Sequence, residues 1–249
     1  MKKIRTFHLT LFFLKNQKNL YLRKRYILLM MRYRNIFLVL IFSLLLCVSC
    51  RYVERNYYLD GNLESELPYK RGKLNGTAVW YYQHGKKSLE ITYKNGLKEG
   101  EMMRFFRNGK IESIENYTND TLNGISLRYE EDGILISELF YKNGKKDGIV
   151  KQYFPDGSLF FTGQYVEGNY DGHWEYFDDE GFKVGEGHFV NGKGVLIGYD
   201  SEGNVIKKVH YLNNFIHKEE IYSKENHQLE KTLTFENGRI TDIQIHENQ

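Results

Sequence analysis

An aromatic ring returns at a fixed interval along this chain, and that interval constrains the fold more than any other feature. Tyr69, Tyr93, Tyr117, Tyr141, Tyr165, Phe189, Tyr211 and Phe235 follow one another by 24 residues, with one step of 22 between Phe189 and Tyr211. A second series, Tyr57, Tyr81, Phe105, Tyr129, Tyr153, Phe177 and Tyr199, keeps the same period and the same deletion. Glycines keep step as Gly61, Gly85, Gly109, Gly133, Gly157, Gly181 and Gly203. They do so again as Gly72, Gly96, Gly144, Gly168, Gly192 and Gly238, with Asp120 and Asn214 filling the two gaps. A period of this length means that one small supersecondary unit is copied and stacked, each copy burying its apolar side against the next.

The unit is a β-hairpin. Asn95-Gly96, Asn108-Gly109, Asp132-Gly133, Asn143-Gly144, Asp156-Gly157, Asn191-Gly192 and Asn237-Gly238 are turn dipeptides, because Gly, Asn and Asp tolerate the positive φ of tight hairpin turns. Between turns the pattern has period two. Leu63, Ser65, Leu67 and Tyr69 point one way and Asn62, Glu64, Glu66 and Pro68 the other, and Leu135, Ser137, Leu139 and Tyr141 repeat the first face. Such alternation over six to eight residues marks half-buried antiparallel strands. The expected fold is therefore all-β: an elongated single-layer antiparallel β-meander of about eight 24-residue hairpin repeats, roughly sixteen strands in all. A third glycine series, Gly76, Gly100, Gly124, Gly148 and Gly172, with Gly194 after the deletion, lies inside strands. A neighbouring aromatic ring is expected to cover the bare backbone there. The alternative is that these glycines only make bends.

One unit reads Tyr141-Lys-Asn-Gly-Lys-Lys-Asp-Gly148 followed by Tyr153-Phe-Pro-Asp-Gly157, and in this it resembles the MORN repeat. It is most similar to the bacterial variant found in YwqK-like proteins, which are described as antitoxin components. The resemblance covers about residues 57–240. It implies the stacked-hairpin fold and a role as a scaffold or as a protein- or lipid-contact module.

The first fifty residues are chemically different. They hold ten basic residues, no acidic ones and none of the 23 glycines. The rest then carries 25 basic against 32 acidic residues, a net of −7, although the whole chain is +3. Phosphate contacts need clustered cations, so a nucleic-acid partner is not expected. Arg32 and Arg34 precede the apolar run from Ile36 to Leu46, and Ser49-Cys50 follows it. That is the layout of a secretory signal. The small residue before Cys50 also resembles the bacterial lipobox, with Cys47 standing where Leu or Val is usual. The resemblance implies that Cys50 becomes the lipidated mature N-terminus and anchors the body to the cell envelope, the outer membrane if the cell has one. An uncleaved signal anchor is the alternative. Residues 1–29 read as a misassigned or cytoplasmic extension, 30–50 as the lipoprotein signal, 51–56 as a short linker, 57–240 as the repeat domain and 241–249 as a C-terminal tail.

Candidate sites thin out under the period. Glu130-Glu131-Asp132 and Asp178-Asp179-Glu180 occupy equivalent pre-turn positions and read as solvated loops, without calcium-loop spacing. His188 and His210 stand one unit apart, roughly 10 Å, too far to share a metal. His84, His173, His217, His227 and His246 show no ligand spacing. No catalytic, cofactor-binding or metal-binding residues are assigned, no cofactor or small-molecule substrate is expected, and the chain reads as non-enzymatic. The aromatic ladders read as core. Trp80 and Trp174 are the possible ligand-contact aromatics if the protein is instead a cell-surface glycan binder. The main reading is an exported, lipid-anchored interaction scaffold with an unidentified protein partner. An antitoxin component, as the YwqK resemblance implies, is the other alternative.

Overall fold

The computed structural model of the protein describes residues 30–34, 36–38 and 50–246. The chain divides into two units, Met1–Arg51 and Tyr52–Gln249. In the first, residues 30–34 and 36–38 are helical. Most of the signal run, Cys47 and residues 1–29 lie outside the described residues. Among the described residues no helix is long and apolar enough to cross a membrane.

The second unit is sheet from end to end. Its strands are β1 (Arg51–Tyr57), β2 (Leu63–Lys70), β3 (Lys73–Leu74), β4 (Gly76–Tyr81), β5 (Lys87–Lys94), β6 (Leu97–Phe105), β7 (Ile111–Thr118), β8 (Thr121–Tyr129), β9 (Leu135–Lys142) and β10 (Lys145–Lys146). There follow β11 (Gly148–Tyr153), β12 (Leu159–Val166), β13 (Asn169–Phe177), β14 (Lys183–Val190), β15 (Lys193–Tyr199), β16 (Val205–Leu212), β17 (Phe215–Tyr222), β18 (Leu229–Glu236) and β19 (Arg239–Ile245). Each strand pairs antiparallel with its sequence neighbour, giving one open sheet. The alternation and turn pattern therefore yield the single-layer meander expected of them. The strand count exceeds sixteen for local reasons. β3 and β10 are split ends of β4 and β11, interrupted at Asn75 and Asp147, whose amides donate to Pro68 and Phe140 carbonyls. Residues 51–56, expected as a linker, are strand because β1 pairs with β2. β19 likewise runs into the expected tail.

The turns explain why the period is strict. Lys94 pairs with Leu97 across Asn95 (φ 55°) and Gly96 (φ 90°), a two-residue turn with both central residues left-handed. Asp120 (φ 63°) and Asn214 (φ 66°) take the same conformation where glycine is missing. The turn amide then reaches the previous unit: Gly96 N–H donates to the Leu74 carbonyl at 2.8 Å, Gly144 to Leu122 at 2.8 Å and Gly192 to Tyr170 at 2.8 Å. On the opposite rim the Tyr58 hydroxyl donates to the Tyr81 carbonyl and the Tyr82 hydroxyl to the Phe105 carbonyl, both at 2.6 Å. An insertion in one hairpin would break these bonds to the next.

The in-strand glycines correct an expectation. Gly76, Gly100, Gly124, Gly148 and Gly172 have φ between 65° and 135°, so each makes a left-handed bend that a side chain would strain. What lies over them is Pro68, Thr92, Asn116, Phe140 and Gln164. Of these only Phe140 is aromatic, so at these five bends backbone conformation rather than ring cover selects glycine; at Gly194, which has no positive φ, the Phe189 ring does lie over the backbone, 2.7 Å from where a Cβ would stand.

Among the described residues, the buried side chains lie on one face. Ser65, Ala78, Ile91, Met102, Ser113, Val150, Trp174, Phe189, Val209 and Leu233 are on the side that Leu63, Ser65, Leu67 and Tyr69 mark in the sequence. Their sizes compensate along the row. Ala78 sits opposite Ile91, whereas Trp174 sits between Gly163 and Gly187.

Candidate functional site

The core face gathers its aromatics around Trp174, which is 1% exposed. Tyr165, Tyr170, Phe161 and Phe189 surround it with ring centroids 4.8–6.1 Å away. Its indole N–H donates to the Asp171 carbonyl at 3.1 Å. Trp174 is therefore not a contact aromatic on the surface. The glycines on both flanks let a neighbouring backbone close over it. Trp80 is half-buried, between Ser65 and Leu89 in the register. Burial pushes the Tyr165 and Tyr176 phenols above their ordinary range. Burial, with Glu115 accepting the hydroxyl hydrogen, pushes Tyr117 up to about 12. These hydroxyls stay neutral and act as packing groups. Where Gly185 pairs with Gly198 a groove of about 350 Å³ opens beside Tyr176, Leu196 and Lys207.

The opposite face carries two clusters of histidine, carboxylate and lysine. On it β13 and β14 set His173 across from His188 and Glu175 across from Glu186. The His173 Nε2 lies 3.6 Å from Glu175 Oε1 and 4.0 Å from Glu186 Oε2. The Lys183 ammonium sits 2.7 Å from Glu186 and 3.9 Å from Glu175. Lys183 first, then the Tyr199 hydroxyl at 3.0 Å, holds the Glu186 carboxyl below its usual range. A second group forms further along the sheet on β16 and β17, where His210 and Lys218 approach Glu220 at 3.4 and 2.6 Å. Burial there opposes ionisation, but the hydrogen bonds from Lys218 and Tyr222, with His210 close by, outweigh it and bring the Glu220 carboxyl down to about 2. Glu220 is therefore ionised at any ordinary pH.

Spacing along single strands does not reveal the first group, because its members come from two strands. The legible signal is His173-x-Glu175 followed by Glu186-x-His188: two alternate-position pairs in mirror order around one turn. Antiparallel pairing brings like residue opposite like. The two acidic clusters sit in their loops. Glu130, Glu131 and Asp132 are exposed, and the Asp178 carboxylate accepts the Glu180 and Phe182 amides. His188 and His210 are separated by Val195 on the intervening strand.

The charged face also presents apolar side chains to solvent. Phe140 on β9 is 46% exposed and Ile149 on β11 is 61% exposed, with Ile125 across from Phe140. Cys50 is exposed, and among the described residues it is a free thiol.

The family described as MORN repeat variant matches this chain five times, at residues 53–71, 74–95, 98–119, 122–143 and 146–167. Those residues are similar to MORN repeats, which are generally protein- or membrane-interaction modules. The same strand and turn geometry continues past residue 167 to β19. There the repeat drifts: His227 takes a left-handed conformation (φ 57°) in place of a glycine. No curated protein matches the chain.

Proposed function

We propose that this protein is an exported, lipid-anchored, non-enzymatic scaffold. Cys50 carries the lipid that ties it to the envelope, and the charged face of the sheet docks a partner protein through Phe140 and Ile149. The single observation that carries this reading is those two side chains, exposed on the paired strands β9 and β11 of this face. Large apolar groups in contact with each other and with water mark contact surfaces more often than isolated ones do. The register of a hairpin sheet holds them rigidly, so docking costs little ordering entropy.

Two measurements test the two halves. With a metabolic fatty-acid label, the wild type is expected to be labelled and Cys50→Ala unlabelled. An unlabelled wild type contradicts the anchor. In a pull-down from detergent-solubilised envelope, a protein retained by the wild type is expected to be lost with Ile149→Glu, while the melting temperature stays within about 2 °C of wild type, as befits an exposed site. Retention by both forms contradicts docking at Ile149.

A further inference from the structure

We infer that His173, Glu175 and Glu186, with His188 beside them, form a binding site for a divalent transition-metal ion such as zinc. The donor atoms of the first three lie within 4.8 Å of one another. Zinc bonds to imidazole nitrogen and carboxylate oxygen of about 2.0–2.2 Å place the ligand atoms of a tetrahedral site roughly 3.4 Å apart. The His173 to Glu175 separation of 3.6 Å and the His173 to Glu186 separation of 4.0 Å are close to those edges. Small side-chain rotations, with no backbone movement, close the difference.

Three features of the fold favour a cation here. Glu175 and Glu186 are direct register partners, and like charges so placed repel. Lys183 offsets this unevenly, at 2.7 Å from Glu186 but 3.9 Å from Glu175. A divalent ion sitting between the carboxylates compensates both. Secondly, His188 is the register partner of His173, exposed and on the same face, so the two strands offer two imidazoles and two carboxylates, a donor set suited to zinc. Thirdly, His173 and Glu175 depart from the repeat, although Glu186 falls where other units hold Glu66, Glu90 and Glu138. Units that are otherwise in register hold Thr77 and Val79, Ile125 and Leu127, or Ile149 and Lys151 where this one holds His173 and Glu175. Packing fixes what repeats, and nothing in the packing asks for His173 and Glu175 at this one place.

Lys183 is the competitor. Its ammonium occupies the Glu186 oxygen that faces His173, so metal entry displaces it, and the ion binds more weakly than it would to a free carboxylate pair. The test is calorimetric titration of zinc chloride into the full chain in detergent. Cys47→Ser and Cys50→Ser are introduced so that no thiol competes. One zinc per chain at micromolar affinity is expected, weakened about tenfold or more by His173→Ala and by Glu186→Gln. Lys183→Met is expected to tighten it, and His217→Ala, at an exposed histidine elsewhere, to leave it unchanged. Melting curves in chelator establish that each variant is folded. Absence of stoichiometric binding, equal binding by His173→Ala and wild type, or weaker binding by Lys183→Met would each overturn the assignment.

Discussion

Replacing Trp174 by alanine is expected to destabilise the sheet by about 3–5 kcal/mol, the cost of emptying a fully buried aromatic site. The ring is 1% exposed and contacts Phe161, Tyr165, Tyr170 and Phe189, so its loss strips four neighbours of packing at once. The space cannot collapse easily. Glycines on the flanking strands have no side chains to fill it, and the strands are held at fixed spacing by their ladder bonds. The loss should also be local. In a stack whose contacts run only between neighbours, stability is approximately a sum over adjacent units. Amide hydrogen exchange in the Trp174→Ala variant is therefore expected to rise across β12 to β15 and to stay near wild type across β5 to β8. A melting temperature within about 2 °C of wild type would show that the ring is not core. A uniform rise in exchange would show that the sheet is one cooperative block.

Gly163→Ala is expected to be nearly as damaging, which is unusual for the addition of one methyl group. A Cβ at that position would stand 2.1 Å from the Trp174 ring. The residue it meets is the rigid middle of a buried indole, which has nowhere to swing. Overpacking of this kind costs roughly 1–3 kcal/mol or more. The effect should depend on the ring: in a Trp174→Leu background, Gly163→Ala is expected to lose most of its cost. The double-mutant cycle read by thermal or urea melts then gives a coupling of about 1 kcal/mol or more. Additive losses would mean that Gly163 is required for its backbone alone.

Gly163 also shows where the sequence is legible and where it is not. The period, the turn dipeptides and the alternation of Leu63, Ser65, Leu67 and Tyr69 are local signals, and they suffice for the strands, the turns and the buried face. Asp120 and Asn214 are recognised as turn residues without glycine because their side chains tolerate the same backbone. Contacts between strands are not written in any single strand. Of the glycines expected to lie under rings, Gly148 and Gly194 do so, and the tightest ring cover is at Gly163, a glycine outside those series, against Trp174. The same blindness hid the group of His173, Glu175 and Glu186, which forms only once β13 and β14 pair. It also hid β1, whose residues Arg51–Tyr57 show little alternation and become strand by pairing with β2. In each case the missing information is register, which emerges from turn length and packing together.

The central claim is that the repeats advance along one direction, hairpin after hairpin, and never fold back to close a chamber. Spin-label distances test it most directly. Lys94, Lys142 and Val190 are exposed, occupy equivalent strand ends, and lie two units apart in succession. With labels at these positions in a chain whose Cys47 and Cys50 are replaced by serine, the distance from 94 to 142 is expected near 20 Å. The distance from 94 to 190 is expected near 40 Å, from four and eight strand spacings of about 4.8 Å. Two distances of similar length, or a shorter distance for the pair more remote in sequence, would contradict the stacked sheet and the scaffold role built on it.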